Sequence, residues 1–141
     1  MAILLVRHAR AGTRGTYADD TVRPLDKKGR KQAKRLAELL AERPVRRILS
    51  SPYTRCVQTV EPLAALLNLE IELREELAEG APAAAVLELM ESLRDIDGDA
   101  VLCTHGDVIA GLIGYDRPAK KGSLWVLDPE RDFEPVEYVS V

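Results

Sequence analysis

Short apolar runs alternate with amphipathic helical segments along most of the chain. Six runs are typical of strands: residues 2–7, 45–49, 69–73, 100–104, 123–127 and 134–139. Strands that alternate with helices predict a largely parallel sheet with helices on both faces. The expected fold class is therefore α/β, a three-layer α/β/α sandwich with a mostly parallel central sheet.

The segments between these runs have helical periodicity. Helices are predicted from Asp26 to about Pro44, from Pro52 to Leu67, from Pro82 to Arg94 and from Asp107 to Ile113. We expect Asp26 to cap the first helix and Pro62 to break or kink the second. Right-handed crossovers place the C-terminal ends of parallel strands along one edge of the sheet, which is where ligands bind in this fold class.

Size and composition are typical of one ordinary globular domain over residues 1–141. A net charge of −3 argues against a nucleic-acid polymer as the partner. We read no signal peptide and no apolar run long enough to cross a membrane. The two cysteines, Cys56 and Cys103, form no Cys-x-x-Cys pair, so we expect a cytoplasmic chain without a disulfide framework. Composition favours no particular oligomeric state.

The chain has only two histidines, and each follows a predicted strand. His8 comes after the first run, with Arg7 directly before it. His105 comes after the run 100–104, and Gly106 follows it. Arg55 lies just beyond the end of the run 45–49. Because these groups follow parallel strands, we expect two imidazoles and two guanidinium groups to meet at one edge of the sheet.

This set of side chains suits the binding and transfer of a phosphoryl group. A guanidinium fork grips two oxygens and keeps its charge, so Arg7 and Arg55 form a candidate clamp. A neutral imidazole is nucleophilic near neutral pH, so His8 is the candidate that attacks phosphorus and holds the phosphate until water arrives. His105 is a candidate donor to the same phosphate. Two histidines without further ligands do not make a metal site, and we expect neither a metal nor another cofactor.

The leaving group needs a proton donor, for which the acidic stretch after the third strand is the candidate source. Glu76 is our first candidate, with Glu79 and Glu75 as alternatives. A carboxyl group held between an anionic substrate and an apolar wall can stay protonated, as a general acid requires.

Four further residues are candidates for substrate binding. Ser51 begins a helix whose N-terminal N–H groups can bind an anion. Gly106 follows the second histidine, and Arg14 and Tyr17 lie in the polar loop 10–22.

Four segments of the chain resemble motifs of the histidine phosphatase superfamily, whose relatives include the phosphoglycerate mutases. Arg7-His8-Ala9 resembles its Arg-His-Gly signature, and residues 50–59 resemble its Ser-Ser-Pro-x-x-Arg-x-x-Gln-Thr segment. Thr104-His105-Gly106 resembles its second-histidine motif, and residues 24–33 resemble its Pro-Leu-Thr-x-x-Gly-x-x-Gln-Ala helix entry. The resemblance implies the same three-layer sandwich, phosphorylation of His8, and a phosphate pocket of Arg7, Arg55 and His105.

Two relatives within that superfamily suggest different substrates. The chain's length is similar to the compact branch typified by SixA, which removes phosphate from phosphohistidine in proteins. The run from Lys120 to Leu127 is similar to the histidine-phosphatase domain at the C-terminus of mycobacterial MutT-type hydrolases, which suggests nucleotides or other small phosphate esters.

These substrate classes predict different sites. A phosphohistidine protein predicts an open, shallow site. A nucleotide predicts a deeper pocket with a base-stacking side chain, for which Tyr17, Tyr53 and Trp125 are candidates. A mutase is less expected because it needs a closed site and usually a longer chain. The alternative from another class is a non-catalytic phosphate-binding module on the same fold.

Overall fold

A six-stranded sheet carries helices on both faces in the computed structural model, which describes residues 1–141. The strands are β1 (Ile3–Arg7), β2 (Val45–Ser50), β3 (Ile71–Leu73), β4 (Asp99–Thr104), β5 (Leu124–Asp128) and β6 (Glu134–Val139). The helices are α1 (Lys27–Leu40), α2 (Thr54–Leu67), α3 (Ala83–Glu91) and α4 (Gly106–Ile113). The predicted α/β class is confirmed. None of the four helices has the length and apolar character that a membrane crossing needs.

The strand order is β3-β2-β4-β1-β5-β6. The first four strands in this order are parallel to one another. At the other edge, β5 pairs antiparallel with β1, and β6 pairs antiparallel with β5. β1 and β4 are central neighbours, and their register pairs Arg7 with Thr104. The backbone N–H of His8 then donates to the Thr104 carbonyl at 3.0 Å. The two histidines therefore leave the sheet side by side, as the fold rule predicts.

The sheet separates two apolar cores because successive side chains of a strand point to opposite faces. On β1, Ile3 and Leu5 pack with residues of α3 and α4, whereas Leu4 and Val6 pack with residues of α1 and α2. Continuous apolar runs are typical of strands that are covered on both faces. This arrangement holds the ends of β1 and β4 between two helical layers.

Helix α2 begins later than predicted and is not broken by proline. It begins at Thr54 with Tyr53 as its N-cap, so Ser51 does not cap it. It also continues through Pro62, although proline removes one backbone hydrogen bond. Burial of neighbouring residues such as Val60 and Leu63 against the sheet stabilises the helix and offsets that loss.

Three short 3-10 helices do not follow from the apolar periodicity. They span Asp20–Val22, Glu75–Leu77 and Pro129–Arg131. The first two lie in loops that bring carboxylates to the C-terminal edge of the sheet.

Candidate active site

The two histidine rings meet beyond the ends of β1 and β4. Their centroids are 5.4 Å apart in an edge-to-face arrangement. Both side chains are nearly buried, with His8 6% and His105 1% exposed. The structure thus brings together the two residues on which the sequence argument depends.

Helix α2 adds a fully buried arginine to the pair. Arg55 Nη1 donates to the Asp20 carbonyl at 2.9 Å, and Nη2 lies 3.2 Å from carboxylate oxygens of both Asp20 and Glu79. The guanidinium group also lies 5.0 Å from the centre of the Tyr53 ring, which packs edge-to-face on His105. Burial among these partners holds Arg55 in one position next to the imidazoles.

Arg7 reaches the same site because residue 106 is glycine. A Cβ atom at Gly106 would lie 2.8 Å from Arg7 Cζ, closer than nonbonded carbons approach. Arg7 Nη1 donates to the Ala119 carbonyl at 2.7 Å, which anchors one end of the guanidinium group. Gly106, a predicted substrate-binding residue, lines the cavity over the histidines and also makes room for Arg7.

The hydrogen bonding of His8 defines its reactive nitrogen. Nδ1 lies 2.8 Å from the Ala9 carbonyl, and a carbonyl only accepts, so Nδ1 carries the proton. Burial, with smaller contributions from nearby His105, Arg55 and Arg7, lowers the pKa of His8 to about 3. The ring is therefore neutral near pH 7, with its lone pair on Nε2.

A hydroxyl group holds the second imidazole. Ser51 Oγ accepts from the Tyr53 N–H at 3.2 Å and lies 2.9 Å from His105 Nε2, to which its own proton is free to donate. Nδ1 of His105 then carries the ring proton and is available as a donor. Ser51 was predicted to bind substrate directly, but the structure places it behind His105, where it orients the ring.

Three buried side-chain nitrogens have no hydrogen-bond partner in the chain: Arg7 Nε, Arg55 Nε and His105 Nδ1. Buried polar groups are nearly always paired, so such exceptions need a physical reason. All three atoms belong to the residues predicted to hold a phosphoryl group. Each is an N–H donor of the kind that binds phosphoryl oxygens.

The carboxylate at the site is Glu79 and not the first candidate, Glu76. Glu79 Oε2 lies 3.9 Å from His105 Nδ1 and pairs with Arg55. Glu76 instead pairs with Arg74 at 3.9 Å and lines a separate cavity with residues of α3. The remaining alternative, Glu75, is exposed.

Glu79 reaches the site in place of Glu76 because of the 3-10 helix that contains Glu76. Its last residue, Leu77, is fully buried, and the Thr104 hydroxyl donates to the Leu77 carbonyl at 2.6 Å. This anchor directs Glu76 outward. Gly80 follows with a positive φ of 84° and donates its N–H to Asp107, which turns Glu79 toward the histidines.

A cavity of about 780 Å³ opens over the histidines, and we call it the active-site cavity. Its lining includes Arg7, His8, Arg14, Glu79 and His105. Arg14 pairs with Asp20 and Glu79, each at 3.3 Å, so this predicted residue does reach the site.

The aromatic side chains proposed for base stacking do not line the active-site cavity. Tyr17 is 43% exposed and lies outside the lining. Tyr53 packs against His105, and Trp125 is buried with its Nε1 donating to the Pro118 carbonyl. The single hydrophobic residue in the lining is Ala11. The cavity therefore has the volume expected for a small-molecule site but not the stacking surface.

Sequence reasoning missed three cations that line the cavity: Arg10, Arg23 and Lys121. It also missed Thr59, whose hydroxyl accepts from the Ala9 N–H and donates to the Arg55 carbonyl, tying the residue after His8 to α2. Nothing in periodicity identifies these residues, because they come from loops or from a buried helix face. As for metals, no three His, Cys, Asp or Glu side chains are grouped in a way that would ligate an ion.

The family model of the histidine phosphatase superfamily (branch 1) matches residues 3–84, more than half of the chain. The chain belongs to the histidine phosphatase superfamily. The predicted family is thus confirmed. In this histidine phosphatase, the matched segment carries His8 and Arg55, whereas His105 lies beyond it.

One curated protein is similar in sequence to this histidine phosphatase. It is 40% identical to an 8-oxo-(d)GTP phosphatase of Mycolicibacterium smegmatis over 139 residues, a match that covers 89% of this chain and 43% of that protein. The chain therefore spans less than half the length of this curated relative.

Two solved structures share its fold. A candidate phosphohistidine phosphatase SixA from Agrobacterium tumefaciens superposes with a TM-score of 0.80 at 22% identity, covering 99% of this chain and 97% of that chain. The protein histidine phosphatase SixA complexed with tungstate superposes with a TM-score of 0.77 at 24% identity, covering 91% and 88%. At this level of identity the likeness shows the fold.

Proposed function

We propose that the chain hydrolyses a phosphate monoester or a phosphohistidine through a covalent phosphohistidine on His8. The observation that carries this proposal is the pairing of a neutral imidazole with three unpartnered buried donors around it. A pure phosphate-binding module needs the donors but not a nucleophile. The set therefore favours catalysis over the non-catalytic alternative.

In the first step, Nε2 of His8 attacks phosphorus. The N–P bond forms as the bond from phosphorus to the leaving group breaks, and the electron pair goes to the leaving atom. Arg7, Arg55 and His105 donate to the phosphoryl oxygens, whose negative charge spreads in the transition state. An incoming phosphoryl group competes with Glu79 for Arg55. The carboxylate released from Arg55 takes a proton from the solvent and delivers it to the leaving oxygen.

In the second step, water attacks the phosphorus of phospho-His8. The O–P bond forms, the N–P bond breaks, and its electron pair returns to Nε2. Glu79 takes the proton that the water loses, which restores the acid used in the first step. The bond from Nδ1 to the Ala9 carbonyl keeps Nε2 directed at phosphorus in both steps.

Two substrate classes fit this mechanism. A phosphohistidine leaves as an imidazole and needs little proton transfer, which suits the SixA-like reading. A small phosphate ester is supported by the cavity of about 780 Å³ and by the identity of 40% to an 8-oxo-(d)GTP phosphatase. On these observations we propose small phosphorylated molecules as the principal substrates, with protein phosphohistidine as the second candidate.

The test is turnover of p-nitrophenyl phosphate with a chelator present, by the parent and by His8→Gln. We expect the parent to be active without added metal and the variant to fall to the background rate. The circular dichroism spectrum of the variant checks that it has folded. Parental turnover by folded His8→Gln, or loss of parental activity in chelator, contradicts the proposal. A panel of phosphohistidine peptides, nucleotides and sugar phosphates then ranks the substrate classes by kcat/KM.

A further inference from the structure

Four cations line the active-site cavity beyond the residues that the phosphoryl transfer uses: Arg14, which pairs with Asp20 and Glu79, and three others. We call Arg10, Arg23 and Lys121 the second cationic cluster. They come from the loop after β1, from the residue before Pro24 and from the turn before β5. Residues from three separate segments therefore line one cavity.

The cluster lies directly beside the end of β1. The Gly122 N–H donates to the carbonyls of both Arg7 and His8, at 3.1 Å each, so Lys121 is one residue from this contact. Arg10 is two residues after His8, and its carbonyl accepts from the Asp26 N–H at 3.1 Å. Arg10 and Lys121 are therefore close along the backbone to Arg7 and His8, and all three members of the cluster line the same cavity as His8.

The bonding of the cluster leaves capacity for an anion. Arg23 is 5% exposed and uses Nε on Asp20 and Nη1 on the Gly12 carbonyl, leaving Nη2 without a protein partner. Arg10 Nε pairs with Asp26 at 2.8 Å. Lys121 lines the cavity and forms no ion pair with a carboxylate.

Electrostatics point the same way. Burial and the nearby charges of Arg7, Arg23 and Arg10 lower the pKa of Lys121, while Asp26 raises it by a smaller amount. The positive charges of Lys121 and its arginine neighbours repel one another, and a bound anion offsets that repulsion. The phosphoryl group over His8 already has its own donors in Arg7, Arg55 and His105. The second cationic cluster is therefore surplus to a substrate that carries a single phosphate.

We propose that the second cationic cluster binds a second phosphate group of the same molecule, so that the preferred substrate is a diphosphate or polyphosphate ester. The inference rests on the proposed function and narrows it to a substrate class. Recognition then comes from the phosphate chain and not from an aromatic ring, in keeping with the lack of an aromatic side chain in the lining.

The test compares binding of methylenediphosphonate and methylphosphonate by calorimetry. Both probes resist hydrolysis, so the measurement does not depend on turnover. Lys121→Gln removes the cation of the cluster that has no carboxylate partner. Lys120→Gln is the matched control, because it makes the same charge change at an adjacent exposed residue that does not line the cavity.

We expect the parent and Lys120→Gln to bind the diphosphonate at least 10-fold more tightly than the monophosphonate, and Lys121→Gln to lose most of that preference. Equal affinity of the parent for the two probes overturns the inference. So does a preference that falls equally in both lysine variants, because a general charge effect would then explain it.

Failure of this binding test can be distinguished from failure of the proposed catalytic function. A parent that prefers the diphosphonate but does not hydrolyse p-nitrophenyl phosphate has the second subsite without the proposed catalysis. A parent that hydrolyses the aryl phosphate through His8 but shows no preference between the probes has the catalysis without the second subsite.

Discussion

The buried, neutral His8 makes the free energy of unfolding depend on pH, and replacing His8 with glutamine removes the contribution of this residue. The pKa of His8 falls from 6.5 to about 3 in the folded chain, so the unfolded chain binds a proton that the folded chain refuses. Stability therefore rises with pH between about 3 and 6.5, is fully present above 6.5, and is lost as the pH falls toward 3.

The size of the effect follows from these two values. At pH 5 nearly every unfolded chain has protonated residue 8, whereas nearly every folded chain has not. The linkage relation then gives a loss of about 2 kcal/mol between pH 8 and pH 5. A folded pKa one unit higher would change this figure by only about 0.05 kcal/mol, because His8 would still be mostly neutral at pH 5.

Urea unfolding of the parent and His8→Gln at pH 8 and pH 5 measures this loss. Other titrating groups act in both proteins, so the difference between their two pH-dependent losses isolates residue 8. We expect the parent to lose about 2 kcal/mol more than the variant. Equal losses in the two proteins, or a parental His8 ring that titrates near 6.5 by NMR, would refute the assignment of a neutral nucleophile.

Further variants test the other assignments at the site. Glu79→Gln should lower kcat for an alkyl phosphate by about 10²-fold or more. The loss should be much smaller for p-nitrophenyl phosphate, whose leaving group needs no proton. Glu76→Gln is the matched control, and equal losses of kcat in the two variants would exclude the acid role of Glu79. Ser51→Ala should destabilise the fold by about 1–3 kcal/mol in urea, because a buried imidazole loses its hydroxyl partner; an unchanged midpoint would show that the bond is unimportant. Gly106→Ala should weaken tungstate binding roughly 10-fold or more by displacing Arg7, and unaltered affinity would contradict that role.

The centre of the sheet was predictable because its two middle strands are continuous apolar runs up to their last residue. Residues 2–6 and 100–103 have no polar interruption, which is typical of strands covered on both faces, and β1 and β4 are indeed central and parallel. Once they are parallel neighbours, His8 and His105 must leave the same edge. The meeting of the imidazoles therefore follows from the fold class, whereas their chemical roles remain predictions.

Hydrophobic periodicity does not predict which carboxylate of the acidic stretch reaches the cavity. Glu76 and Glu79 are both acidic residues in one polar stretch. A buried Leu77 and a positive φ at Gly80 decide which of them reaches the cavity. These features are set by tertiary contacts with Thr104 and Asp107, which are remote in sequence.

Tertiary contacts also explain why the helix start at Ser51 was wrong and why the second cationic cluster was not predicted. A serine before proline is a common helix start, but here its hydroxyl finds a buried imidazole and the helix begins later. Arg10, Arg23 and Lys121 are ordinary surface residues by local sequence. Only the folding of three loops around the end of β1 places them in one cavity.

The central claim is that His8 carries the phosphoryl group during turnover. Rapid quenching of the working enzyme at alkaline pH, followed by peptide mass spectrometry, measures where phosphate is attached. We predict phosphate on Nε2 of His8 in the parent and none in His8→Gln. A phosphoryl group trapped on a different residue, or active parent enzyme from which no phosphohistidine at position 8 can be recovered, would contradict the account.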